Sequence, residues 1–277
     1  MSGGLVRKHY TEYAEREWER LVRDPYHRLE FGTTMRFLEK YLPKEGRVLD
    51  AGGGPGRYSI ELARRGYLVT LLDLTPKLLV IARERIREAQ VQANIERVVE
   101  GSIEDLSFFE DECFDAVLCL GGPLSHVIDK GRRQHAVDEL VRVAKPGSPI
   151  FVSVIGRLAV CVNSFVELWP DLKSNPDLYR RIAATGRYEG DSGFTACHFF
   201  VPEELREEFE GKAEVLEMIG LEGIFSTHAQ RYNEVISTGE YDKILRDLHQ
   251  ATCTHPSIVG ISEHMLLICR KGQTSED

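Results

Sequence analysis

Six cysteines, at positions 113, 119, 161, 197, 253 and 269, form no Cys-x-x-Cys pair. The spacing therefore offers no metal cluster, and Cys119, Cys161 and Cys269 sit inside apolar runs as small core residues. Such usage fits a reducing compartment. The chain also has no apolar run of membrane-spanning length, and its first residues, MSGGLVRKHYTEYAEREWERL, have no apolar stretch of the signal-peptide kind. A soluble, cytoplasmic protein is expected. An excess of basic residues is absent too: 35 Lys and Arg stand against 44 Asp and Glu, a net charge of −9. That balance argues against a nucleic-acid partner, which needs a concentrated basic face. The arginines at 83–87 and 132–133 are interleaved with acids and read as solvated helix faces. There is no repeat, biased tract or linker, so the 277 residues read as one domain with insertions, acting as a monomer or homodimer without a membrane.

What is present is alternation. Apolar strand-like runs at Arg47–Ala51, Leu68–Asp73, Ile95–Val99, Phe114–Leu120 and Pro149–Val154 are separated by helical patterns, as in a parallel sheet covered on both faces. The helices are expected up to Leu42, over Gly56–Arg65, from Thr75–Pro76 onward and over Arg132–Ala144. The alternation then lapses. Residues 157–195 suggest two short helical stretches broken by Pro170, Pro176, Gly186 and Gly190. Pro202 opens a helix, strands follow at Ala213–Ile219 and His264–Arg270, and 221–262 is a second interruption with helices near Thr227–Ile236 and Tyr241–Thr252.

The chemistry concentrates in LDAGGGPGR, residues 49–57. A strand must turn sharply into a helix there, and glycine permits both the turn and the close approach of a ligand to the backbone. The helix start offers free N–H groups to a phosphate or a carboxylate. Asp73 ends the next strand, where an acid accepts hydrogen bonds from ribose hydroxyls. The spacing is Asp50-x-Gly52-x-Gly54-x-Gly56; a dinucleotide fingerprint would place glycine where Arg57 stands, and no Gly-Lys-Ser/Thr follows for a Walker loop. Asp50 either braces the turn or touches the ligand.

With LLDLT ending at Thr75, GSIEDL at 101–106 and FDAVLCLGG at 114–122, the set resembles the class I S-adenosylmethionine-dependent methyltransferases, in particular those acting on small molecules, which share the HFFVPEEL and SEHMLLICRK segments. The resemblance implies a Rossmann-like three-layer sandwich, its seven-stranded, mostly parallel sheet ending in an antiparallel strand, with helical lid insertions. It implies a core at 46–155 and 198–271, an N-terminal helical cap at 1–45, a lid at 156–197 and a second lid at 221–262. The cofactor would be S-adenosyl-L-methionine, leaving as S-adenosyl-L-homocysteine, and the partner a small-molecule methyl acceptor. Gly52, Gly54 and Gly56 would meet the methionine part, Asp73 the ribose, Leu74, Ser102 and Ile103 the adenine, and Leu120 the sulfonium. Ser102 stands where the family usually has an acid, leaving Glu104 or backbone to read the adenine amino group.

In such families an N-terminal helix closes over the cofactor. Tyr10 and Tyr13, three apart on one helical face, and Arg28, suited to a carboxylate, are the residues for that role. His126, in GGPLSHV at the end of a strand, is the candidate base; His198, His228 and His264 are further pocket candidates, with His264 better read as core. Two rival functions stay open: an NAD(P)-dependent oxidoreductase, disfavoured by Arg57 and by the absence of a convincing Tyr-x-x-x-Lys pair, and a non-catalytic S-adenosylmethionine-binding sensor or partner protein.

Overall fold

The computed structural model describes residues 2–190 and 193–273; the end of the polar tail expected after the last strand lies outside them. Five strands follow one another with helical crossovers: β1 (Arg47–Ala51), β2 (Leu68–Asp73), β3 (Ile95–Glu100), β4 (Ala116–Cys119) and β5 (Pro149–Ile155). Later come a two-stranded ribbon, β6 (Arg187–Tyr188) with β7 (Cys197–His198), and the long strands β8 (Ala213–Gly220) and β9 (His264–Lys271). The main sheet has the order β3-β2-β1-β4-β5-β9-β8, all parallel except β9, which runs antiparallel to both neighbours.

Side chains alternate across this sheet. Leu49 and Ala51 of β1 and Val117 and Cys119 of β4 turn to one face, Val48 and Ala116 to the other, and the pairing of Val48 with Ala116 and Leu49 with Val117 keeps each set in register. Both faces are covered, which is why these strands read as continuous apolar runs. Helices α1 (Ser2–Glu12), α2 (Ala14–Arg20), α3 (His27–Tyr41), α4 (Arg57–Arg64) and α5 (Pro76–Glu88) come before α6 (Lys130–Val143) in the chain. Met35, Phe37 and Leu38 of α3 pack with Tyr58, Ile60 and Leu62 of α4 on one face, and Ala136, Val137 and Leu140 of α6 on the other. Each such fully buried apolar side chain contributes about 1.5–3 kcal/mol.

The expected strand Phe114–Leu120 is shorter. Phe114 makes only an isolated bridge to Ala144, and Leu120 enters a turn whose Gly121 and Gly122 have φ of +79° and +90°. In the first insertion the prolines start helices rather than break them: α7 (Arg157–Val166), α8 (Trp169–Ser174) and α9 (Pro176–Thr185) number three, with Pro170 and Pro176 in first turns, where the lost N–H has no partner to miss. After α10 (Pro202–Glu208), the second insertion holds α11 (Ala229–Ser237), α12 (Asp242–Thr252) and an unforeseen α13 (Pro256–Ile261), again with proline at its start.

Both insertions meet at Gly156. Its N–H donates to the Glu263 carbonyl at 2.8 Å, and a Cβ there would stand 2.1 Å from the Ser262 carbonyl oxygen. Because backbone cannot swing aside as a side chain does, Gly156→Ala should lower unfolding stability by about 1–3 kcal/mol. Denaturant titration reads this; an unchanged midpoint would mean that the two segments slide apart at little cost.

Candidate functional site

Four strand ends build the site. β1 runs into Gly52, β2 stops at Asp73, β3 stops ahead of Gly101 and Ser102, and β4 ahead of Leu120 and Gly121. They flank β1, on whose two sides the crossovers leave in opposite directions, so a crevice opens there. Gly52 and Gly54 have φ of +82° and +55°, and a Cβ on Gly52 would stand 2.4 Å from Pro123 Cγ; only glycine suits that turn. The Gly52 and Gly53 N–H groups donate to the Leu72 carbonyl at 2.7 and 3.1 Å. Asp73 closes the staple: one carboxylate oxygen accepts from the Gly54 N–H at 2.9 Å and the other from the Thr75 N–H at 2.8 Å. Burial raises its carboxyl to about 6 in spite of those bonds.

Above the turn lies a cleft of about 970 Å³, its open mouth included, with Leu74, Leu78 and Ile103 on its apolar side. α4 begins at Arg57 without a side-chain cap, and Arg57 and Tyr58 line the cleft, so the positive end of the helix is available to an anion. Tyr10, Glu17 and Arg20, from α1 and α2, form the opposite wall.

Tyr10 meets His126. The Tyr10 hydroxyl and His126 Nε2 are 2.9 Å apart, and His126 Nδ1 lies 3.0 Å from the Ala196 carbonyl oxygen. A carbonyl only accepts, so Nδ1 carries the hydrogen and Nε2 accepts from Tyr10. Burial pushes the imidazole down to about 4, which keeps it neutral near pH 7.

A second chamber, about 1080 Å³ with its mouth, shares Tyr10, Glu17, Arg20 and Gly121 with the cleft. At its centre Arg20 donates to both Glu30 oxygens, at 2.6 and 3.3 Å, and to Glu17 at 2.8 Å. His264 Nδ1 donates to Glu222 at 2.7 Å and stands 3.7 Å from Glu30.

With this geometry in place, the relatives are informative. Residues 48–147 match the model of a family described as "Methyltransferase domain". A ubiquinone biosynthesis O-methyltransferase of Xylella fastidiosa (strain 9a5c) is 39% identical over 122 residues, 44% of this chain and 47% of that relative. Residues 48–147 thus carry a methyltransferase domain, set in the Rossmann-like sheet expected from the sequence. The match spans about half the length of that relative. Two solved structures share the methyltransferase fold at low identity: an S-adenosylmethionine-dependent methyltransferase from Methanosarcina mazei, with a TM-score of 0.58, 21% identity and coverage of 86% of this chain and 98% of its own, and a TehB-like one from Corynebacterium glutamicum, with 0.54, 17%, 95% and 98%.

Of the residues singled out in the sequence, Gly52, Gly54, Asp73, Leu74, Ser102, Ile103, Leu120 and His126 line one cleft. Others do not. Asp50 lies beneath the turn, fully buried, accepting from the Ser59 hydroxyl at 2.6 Å, and burial plus the nearby Asp73 raises it to about 6; it braces the turn from behind. Gly56, left-handed at φ +83°, is the first residue before α4 and packs towards Leu71 and Ala82. The helix expected to carry both tyrosines breaks at Tyr13, between α1 and α2, so Tyr10 turns inward while Tyr13 is 39% exposed at the rim of the second chamber. Arg28 is exposed on the outer side of α3, its Nε donating to the Val22 carbonyl at 3.3 Å; Arg20 occupies the wall instead. Nothing local distinguishes Arg20 from its arginine neighbours, because its partner Glu30 comes from the next helix. His198 pairs with Glu204 at 3.2 Å away from both cavities, and His228 Nδ1 donates locally to the Ser226 carbonyl at 2.7 Å. His264, read as core, lines the second chamber.

Burial alone would lower His264, yet Glu30 and Glu222 raise it from 6.5 to about 9. The folded state therefore holds a proton that the unfolded chain releases near 6.5. The resulting stability is fully present below pH 6.5 and is lost as pH rises through about 9. Thermal midpoints measured from pH 6 to 10 should fall in the wild type, and the fall should flatten in His264→Asn; equal slopes would contradict the assignment.

Proposed function

We propose that this chain moves a methyl group from S-adenosyl-L-methionine to a small-molecule acceptor and releases S-adenosyl-L-homocysteine. The observation that carries the reading is the shared wall: the cleft held by Asp73 has Tyr10, Glu17, Arg20 and Gly121 in common with a second chamber large enough for an acceptor. The residues present suit the cofactor. Asp73 offers a desolvated carboxylate to ribose hydroxyls, Leu74 and Ile103 offer apolar contact to a purine, and the capless start of α4 offers N–H donors to a carboxylate. The ubiquinone O-methyltransferase relative supports an oxygen acceptor. Six free cysteines suit the cytoplasm, and among the described residues no helix is long and apolar enough to cross a membrane.

S-adenosylmethionine supplies an electrophilic methyl group on a sulfonium when bound. The protein's part is alignment and exclusion of water. The hydrogen of Tyr10 is committed to His126 Nε2, so the free lone pairs of its oxygen are left to accept the acceptor's O–H. As the acceptor oxygen takes the methyl, its proton passes to the Tyr10 oxygen and the Tyr10 proton to His126. His126 thus acts through Tyr10 rather than on the acceptor itself. Its low pKa is sufficient, since an oxygen that has gained a methyl sheds its proton readily.

Two outcomes follow. Asp73→Asn should weaken S-adenosylmethionine binding by about 1–3 kcal/mol in calorimetric titration, with NAD(H) giving no heat; wild-type affinity in a folded variant, or binding of NAD(H) alone, would falsify the reading. Tyr10→Phe should lower kcat about 100-fold with S-adenosylhomocysteine affinity kept, and adding His126→Gln should cost little more, because the pair works as one unit. Full turnover by Tyr10→Phe removes the relay.

A further inference from the structure

Inside the second chamber carboxylates outnumber cations, and one wall is made of rings. Four carboxylates line it: Glu17, Glu30, Glu222 and Glu263. Inside, two cations answer them. Arg20 is held by Glu17 and Glu30, and His264 by Glu222 with Glu30 close by. Arg16 and Arg23 stand exposed at the mouth, Arg16 over the ring of Tyr13 at 5.4 Å and Arg23 beside Asp24 at 3.4 Å. His27 is turned to Asp24 at 2.8 Å, and His9 lies among rings.

Glu263 is the carboxylate left over. Its hydrogen-bond partners among the described residues are neutral: the Asn163 amide at 3.3 Å, the Tyr26 hydroxyl and the Thr227 N–H. Burial first, and Glu222 second, raise its carboxyl above the ordinary range, with the neighbouring His264 offsetting them only in part, as expected of a buried acid that no cation pairs directly. Across the chamber, His9 meets Tyr13 at 4.6 Å and Phe194 at 5.3 Å between ring centroids, and Tyr10 continues the row to the shared wall. Rings and a carboxylate bonded only to neutral groups, lining one chamber, are the chemistry that takes up an organic cation.

Resting on the methyltransferase reading above, we infer that the acceptor carries an aromatic ring and a protonated amine, the ring among His9, Tyr10, Tyr13 and Phe194 and the ammonium against Glu263. The ammonium is an anchor, not the nucleophile, since its lone pair holds a proton; the methyl goes to a ring hydroxyl that reaches Tyr10. An acceptor with a carboxylate arm is disfavoured, because Arg20 and His264 are already taken by the protein's own acids.

The test uses the full chain. Titration with S-adenosylhomocysteine comes first, and failure to bind it would sink the methyltransferase reading itself. With the cofactor product bound, tyramine and dopamine are titrated beside their uncharged analogues 4-ethylphenol and 4-ethylcatechol and the acid 3-(4-hydroxyphenyl)propanoate. Each amine should bind at least about tenfold more tightly than its uncharged analogue, the scale of a hydrogen bond to a charged group, and the acid most weakly. Glu263→Gln should abolish that preference while S-adenosylhomocysteine affinity stays as in the wild type, and Glu263→Asp should restore part of it. The inference is overturned if neither amine binds, if the uncharged or acidic compound binds as well as the amine, or if Glu263→Gln keeps the preference.

Discussion

The site hangs on the carboxylate of Asp73. Two backbone N–H groups, from Gly54 in the turn after β1 and Thr75 at the start of α5, converge on its two oxygens. A side chain at the end of β2 thereby fixes the glycine turn, which has no side chain of its own to hold it. The staple draws on buried negative charge, and the desolvation that raises Asp73 is the same condition that makes it a strong hydrogen-bond acceptor. Asp50, one layer below, holds α4 through Ser59 and leaves one oxygen without a partner among the described residues. The two acids thus divide the work, one bracing the turn and one presented to the cleft.

A second electrostatic unit organises the second chamber. Glu17 and Arg20 belong to α2, Glu30 to α3, Glu222 follows β8, and His264 opens β9. Their chain of contacts ties the N-terminal helices to the far end of the sheet, beside the apolar cluster that Phe37 and Leu38 of α3 share with Ile219 of β8 and Leu266 of β9. Buried ion pairs of this kind add little net stability. They do specify position, because each member left alone would be an unpaired buried charge. The helices that line the cleft are therefore seated by the same groups that line the chamber, and the two cavities are shaped together.

The sequence carried the strand ends plainly. Gly52, Gly54, Asp73, Leu74, Ser102, Ile103 and Leu120 could be found because each lies at a fixed step from a recognisable strand, and strands here are continuous apolar runs. The N-terminal segment resisted. A face-sharing rule joined Tyr10 to Tyr13, but the helix breaks between them and only Tyr10 turns inward. Arg28 had the right chemistry and the wrong side of α3, whereas Arg20 is held by an acid from another helix. The prolines of the insertions were misread for a related reason, since a proline that ends one helix and a proline that starts the next look alike until the chain direction is known.

By itself, then, the sequence determined the doubly covered sheet, the glycine turn and the acid that answers it, because these follow from local periodicity and from what glycine and aspartate do at a strand end. Tertiary structure alone decided the partners: Tyr10 with His126, Arg20 with Glu30, Glu222 with His264, and Glu263 with neutral hydrogen-bond partners among the described residues. Each of the first three joins residues from different elements, 116, 10 and 42 positions apart in the chain. Their meeting depends on how helices and sheet pack, and no rule of spacing encodes it.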